Sequence, residues 1–277
     1  MMKKILLSVI ILTAMFLSVN AQDTLLTSKK GIPILPNAGD WAIGIDARPF
    51  TQIFNSNSNV GYNFVSENTL IGKKFIKHNL AHRAKIRLAF DSFKDEEYSI
   101  KDEQIIPDPI ITVLDTRHSN FTNITIGYGM EKRTGYGRLQ ALYGAEVLFT
   151  YESFDESYSY GNAFSMSNPS PTSHNFGSNI PFPGQRVSFR EQGFTMTTAL
   201  RAFLGIEYFF MPKISVGGEF GWGIAYTNSA EGKNKVESWD GESNTVKSEI
   251  HKSGGFSRIH FDNDNFGGAI FFLFHFN

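Results

Sequence analysis

The sequence predicts an all-β fold, a membrane-spanning antiparallel up-and-down β-barrel of eight strands, with ten strands as the alternative. Three observations predict it. The chain opens on a leader of secretory type, several stretches alternate large apolar with small or polar residues over about ten positions, and the connections between those stretches alternate short and long.

The leader comes first. Lys3 and Lys4 form a positive n-region, Ile5 to Val19 an apolar run, and Val19-Asn20-Ala21 a small-residue cleavage site, which predicts a signal peptide at 1–21 cleaved after Ala21. A membrane anchor is the competing reading, but the run falls short of the roughly 20 residues that a spanning helix needs. Residues 22–39 carry Lys29, Lys30, Pro33 and Pro36 without periodicity and read as a periplasmic lead-in. Residues 40–277 are then the barrel with long extracellular loops.

Each strand rests on a two-residue period. Strand one, about Asp40 to Arg48, sets Trp41, Ile43, Ile45 and Ala47 outward against Gly44, Asp46 and Arg48. Strand two, about Thr69 to Ile76, is too short and lysine-rich to phase. Strand three, Arg83 to Phe93, pairs Ala84, Ile86, Leu88 and Phe90 outward with Lys85, Arg87 and Asp91 inward. Strand four, about Phe121 to Glu131, sets Ile124, Ile126, Tyr128 and Met130 against Thr125, Gly127, Gly129 and Glu131. Strand five, Leu139 to Tyr151, is the clearest: its odd positions are apolar, opposed by Gln140, Gly144, Glu146 and Thr150. Strand six, Phe194 to Phe210, opposes Arg201, Gly205 and Glu207 to an apolar set, with Phe203 breaking the inward polarity, and Met211-Pro212-Lys213 turns the chain into strand seven. There Ile214, Val216, Phe220, Trp222, Ile224 and Tyr226 alternate with Ser215, Gly217, Glu219, Gly221 and Gly223. Strand eight, about Phe266 to Phe276, is Phe-rich and resembles the terminal assembly signal of outer-membrane barrels.

On these boundaries about six, seven and three residues join strands two and three, four and five, and six and seven, while 51–66, 94–120, 153–192 and 228–263 are long. Short turns on one side and long polar loops on the other fit a single-chain outer-membrane barrel. A soluble β-sandwich also alternates, but does not explain this asymmetry. Residues such as Ile110 to Leu114 or Phe256 to Phe261 would extend strands or raise the count to ten.

Composition agrees with export. With 26 basic and 27 acidic residues the net charge is −1, and no nucleic-acid partner is implied. No cysteine is present, which removes disulfides, thiol catalysis and cysteine-metal sites. The 26 Phe suit a lipid face and interfacial girdles, and the 25 Gly suit positions where side chains crowd.

Several runs carry a resemblance. Asn37 to Phe50 is similar to the first strand of small porin-family, OmpA/OmpX-like outer-membrane proteins of the Bacteroidota type. Gly72-Lys73-Lys74-Phe75, Ala84 to Leu88 and Glu207 to Glu219 resemble that group as well. The resemblance implies architecture and an outer-membrane location.

The lumen-facing charges of this phasing are Asp46, Arg48, Lys85, Arg87, Asp91, Glu131, Glu146, Arg201, Glu207 and Glu219. An eight-stranded barrel has an interior just wide enough for side chains to fill, so they read as a plug of ion pairs, with a narrow porin-like channel for small solutes as the alternative. An outer-membrane lipid-modifying or proteolytic enzyme would need a histidine with an acid or serine at the rim. His118, His174 and His260 share no spacing with an acid, and His78 and His82 straddle a turn, so no catalytic residue, metal ligand or cofactor is expected. Asp262 to Gly267 resembles the start of a calcium loop but lacks its later ligands. Tyr158, Tyr160, Phe164, Phe176 and Phe189 lie among turn formers in the third long loop, where aromatics could contact a glycan or protein partner. The other expected partners are outer-membrane lipid and the barrel-assembly machinery, met through the C-terminal strand.

Overall fold

A computed structural model describes residues 26–46, 69–106, 108–177, 184–263 and 269–277. Their regular elements are all strands: β1 Trp41–Asp46, β2 Leu70–Lys77, β3 Leu80–Ile100, β4 Thr112–Tyr136, β5 Leu139–Ser159, β6 Arg186–Glu191, β7 Thr195–Met211, β8 Ile214–Ser229, β9 Gly232–Asp240, β10 Thr245–Ser253, β11 Phe256–Asn263 and β12 Ala269–Phe276. Every pairing is antiparallel. Strands β1, β2, β3, β4, β5, β7, β8 and β12 pair in that order and β12 returns to β1, closing a ring of eight. Closure leaves no edge within the ring.

The other four strands prolong ring positions on one side. β6 takes over from β7 as the partner of β5 at Asp155–Ser157, β9 pairs β6, β10 pairs β9, and β11 takes over from β12 as the partner of β8. The breaks lie side by side. The Ala230 amide donates to the Phe194 carbonyl at 2.9 Å. A Cβ on Gly193, whose φ is +77°, would stand 2.5 Å from the Ala230 oxygen, and one on Gly255 2.2 Å from the Ser229 oxygen. Three neighbouring strands therefore jog together, and glycine makes the jog possible.

Two expectations are corrected here. The stretches 94–120 and 228–263 are mainly strand, and 153–192 carries strand at both of its ends. β3 and β4 stay paired up to Ile100 opposite Thr112, β5 runs to Ser159, and 232–253 holds the β9–β10 hairpin. Charge runs such as Lys94-Asp95-Glu96-Glu97 hide the period, but a ladder surrounded by water needs cross-strand partners rather than an apolar face. Arg117 supplies one: it binds Asp95, directly opposite in the register. The short connections are shorter still, with two residues in each: His78-Asn79, Gly137-Arg138 and Pro212-Lys213. Thr112 to Leu114 and Phe256 to Phe261 extend ring positions, so the ring count is eight and not ten.

Side chains sort by face. Ile43, Leu88, Phe90, Ile126, Tyr128, Phe149, Leu200, Ile206 and Phe274 are outward and exposed. Inside, near the short-turn end, Ala42, Ile71, Phe75, Ala81, Leu142, Phe271 and Leu273 form one buried cluster. The 26–40 segment packs on that end: Ile34 is buried, its carbonyl accepts from the Lys213 amide at 3.3 Å, and Asp40 pairs with the Lys213 ammonium.

Inward glycine makes room for the aromatic plates of this cluster, the rings of Phe75 and Phe271. A Cβ on Gly217 would fall 2.3 Å from Phe271 Cζ and 2.6 Å from the Ile206 carbonyl oxygen, and backbone cannot yield as a flexible side-chain end can. Gly217→Val should cost about 1–3 kcal/mol in equilibrium unfolding. Gly241→Val, with nothing within 4 Å, should change stability by less than about 0.5 kcal/mol.

Candidate functional site

Inside the ring, above the aromatic plates, the sequence places charge on almost every strand. β2 supplies Lys73, β3 Arg83 and Lys85, β4 Glu131 and Arg133, β5 Glu146, β7 Arg201 and Glu207, and β8 Glu219. Five cations thus meet four carboxylates, and all are buried apart from Lys85, which is partly so. Burying such charges is unfavourable unless each finds partners.

Arg83 is the hub. Its Nη1 lies 3.3 Å from Glu131, its Nε 3.5 Å from Glu146 and its Nη2 2.7 Å from Glu219. Glu146 and Glu219 are each shared with Lys85, at 2.7 and 3.2 Å, and with Arg201, at 2.6 and 3.1 Å. Towards the short-turn end Lys73 holds Glu131 at 2.6 Å, and Arg133 reaches Glu207 at 3.2 Å and Glu131 at 3.7 Å. Glu207 also accepts from the Ser215 hydroxyl and lies 3.2 Å from His275 Nε2. Rings pack against the cations: Arg83 stands 4.5 Å over Phe203, Arg133 4.5 Å over Phe75, and Lys73 5.3 Å over Phe271. Phe203, the apolar residue on an otherwise polar face, is therefore the platform for the hub.

Of the charges expected inside, Lys85, Glu131, Glu146, Arg201, Glu207 and Glu219 come together in this network. Arg87 stands one level higher, in register with Thr125, Thr150, Thr197, Thr227 and Arg258 on successive strands. Thr125 and Thr150 hydrogen-bond at 3.0 Å, and Thr197 and Thr227 at 2.9 Å. Asp91 keeps the parity of Lys85 and Arg87 but is exposed, because β3 has by then risen past the level of the network. Asp46 ends β1, and Arg48 lies outside the described residues. Four members escaped the sequence reading: Lys73, Arg83, Arg133 and His275. Arg83 shares the parity of Lys85, which was the available signal.

The histidines named above do not form a second cluster among the described residues. His118 on β4, His174 in the 160–177 segment and His260 on β11 sit on separate elements, and among the described residues no three His, Asp or Glu are grouped to hold a metal. His82 lies against Tyr128, its Nδ1 2.6 Å from the hydroxyl. Asp262 and Asn263 belong to β11, and the rest of the calcium-like run lies outside the described residues.

The aromatics of the third long loop lie on strands or against arginine. Tyr158 lies in β5 and Phe189 in β6, while Tyr160 and Phe164 clamp the Arg186 guanidinium at 4.5 and 4.4 Å. Arg186 also donates to the Asn162 and Ser173 carbonyls and binds Glu237 at 2.6 Å. Burial pushes the Tyr160 phenol up, and its hydroxyl donates to the Val187 carbonyl at 2.7 Å. Asp102 and Asp115 tie the same segment down through Thr172 and Asn168, and through Gly161, respectively. A segment dense in turn residues is thus held by two buried arginine-ring contacts and two carboxylates.

Arg83→Ala should cost about 3–5 kcal/mol in unfolding, because it leaves carboxylates buried without a counter-charge. Asp91→Ala should cost less than about 0.5 kcal/mol. Arg186→Ala should leave the unfolding midpoint of the ring almost unchanged while limited proteolysis begins to cut within 161–177, measured by mass spectrometry of the fragments.

Comparison with protein-family models and with curated proteins finds no match to this chain.

Proposed function

We propose that this protein is an integral outer-membrane β-barrel of the small porin-family, OmpA/OmpX-like kind, exported after cleavage behind Ala21 and not an enzyme. Its role is structural or one of surface interaction, carried by the sheet and segments that rise beyond the ring. The observation that supports this reading is the reversed polarity of the ring, apolar outside and charged within. In water a closed sheet with Leu88, Phe90 and Ile206 more than half exposed would associate, whereas lipid solvates that face. The apolar-out run on β5, Leu139 to Tyr151, spans about 30 Å at about 3.3 Å per residue and a tilt of about 40°. That matches a bilayer core.

The short turns and the 26–40 segment would then face the periplasm, and β6, β9, β10 and the Arg186-bound segment the exterior. Four carboxylates among five cations and packed rings favour a plug over a porin-like channel. The terminal β12, with Phe272, Phe274 and Phe276 on the outward face, suits recognition by the barrel-assembly machinery.

Extracted in detergent, the protein should migrate differently on a denaturing gel before and after boiling, since a closed ladder resists detergent. Recovery in the soluble periplasmic fraction would overturn the membrane reading. Ala202→Lys, midway along an outward run, should lower folding stability in lipid vesicles by about 2–4 kcal/mol. Planar bilayers should show little or no conductance, and a large steady ohmic current would favour the channel instead.

A further inference from the structure

We propose that the outer face of β2, β3 and β4, near the short turns, holds the phosphodiester headgroup of an anionic phospholipid. This rests on the membrane reading above. Within the apolar belt the outward positions among the described residues carry no Asp or Glu; besides Lys77, which ends β2 opposite Leu80, their titratable cations are Lys74, His82 and Lys132. These three are not scattered around the ring. Lys74 is directly opposite His82, His82 is opposite Met130, and Lys132 is the next outward position on β4. With about 4.8 Å between strands and about 3.3 Å per residue, the Cα atoms of Lys74 and Lys132 lie about 12 Å apart, a span that two lysine side chains close around one phosphate.

The two ammoniums lean outward, towards β1 and β5, and would turn towards His82 to grip one phosphate. The Lys74 ammonium stands 4.3 Å over the Trp41 ring and donates to the Gly39 carbonyl at 2.6 Å. The Lys132 ammonium lies 6.0 Å from the Tyr143 ring. Between the two lysines His82 stacks on Tyr128, with ring centroids 5.6 Å apart. The neighbouring acid, Glu131, points into the ring and is bound by Lys73 and Arg83, so the outward cations have no carboxylate on their own face. A phosphodiester supplies the missing negative charge and several acceptor oxygens. The exposed Ile86, Ile126 and Tyr128, nearer the middle of the belt, would take the acyl chains.

The test uses the full-length mature protein in micelles doped with equal amounts of phosphatidylglycerol and phosphatidylcholine, with retained lipid counted by native mass spectrometry. One phosphatidylglycerol should be retained with at least about tenfold preference, which two near-surface lysines can supply. Lys74→Ser with Lys132→Ser should abolish the preference, and Lys101→Ser with Lys235→Ser, which removes the same charge from exposed positions elsewhere, should keep it. Equal retention of the two lipids, or a preference that survives the first double variant, would overturn the site. Displacement of the lipid by millimolar inorganic phosphate would overturn the lipid assignment in favour of a plain phosphate site. A protein that stays soluble without micelles and retains neither lipid would instead refute the membrane reading itself.

Discussion

The Arg83 guanidinium is the interaction on which the ring interior depends. It lies at the crossing of three carboxylates that arrive from three different strands, Glu131 on β4, Glu146 on β5 and Glu219 on β8. A planar group with donors on several sides can do this, whereas a lysine ammonium at the same place would be a single point charge. Lys85 and Arg201 then serve the other oxygens of Glu146 and Glu219, and Lys73 and Arg133 extend the pattern towards Glu207. The excess of one cation is carried by groups packed on rings, where the quadrupole of Phe75, Phe203 and Phe271 offsets part of the lost hydration.

Much of this was legible as a period of two. Once Leu139 to Tyr151 fixes which face of β5 is apolar, Glu146 must point inward, and the same logic places Arg201, Glu207 and Glu219. What the period could not show lay at the edges of the windows. Lys73 sits in a strand of eight residues where Lys74 faces the other way, so alternation of charge is invisible. Arg133 lies three residues past Met130, the last apolar position that marks β4, and His275 is masked by the phenylalanines around it. All three are needed to satisfy Glu131 or Glu207.

Beyond the apolar belt the signal fails for a different reason. There both faces of the sheet are wet, so no hydrophobic pattern is selected, and the ladder is written in cross-strand pairs such as Asp95 with Arg117 and Asn120 with Asp155. Pairs of this kind are recognisable only when the register is known. The third long loop fails similarly: its Pro, Ser and Asn residues announce turns, but the contact that orders them, Arg186 between Tyr160 and Phe164, joins residues more than twenty positions apart.

The network also bears on why the ring has one register. A buried ion-pair cluster is weak evidence for stability, since apolar side chains of equal volume would fill the same space. Register is another matter. A strand that slips by one residue turns its whole inward set to the outside, and here that would carry Glu146 or Arg201 onto the apolar face while bringing Val147 or Leu200 among unpaired charges. A slip of two keeps the faces but moves Glu131 about 7 Å along β5, from opposite Gly144 to opposite Leu142 or Glu146, an apolar side chain or a like charge. Seven of the eight ring positions contribute a side chain to the network, His275 from β12 included, so an error in almost any strand leaves a buried charge without its partner. An apolar interior would penalise the slip of two far less, because one phenylalanine or leucine packs much like another. The charges inside this ring therefore act less as glue than as a key to strand alignment.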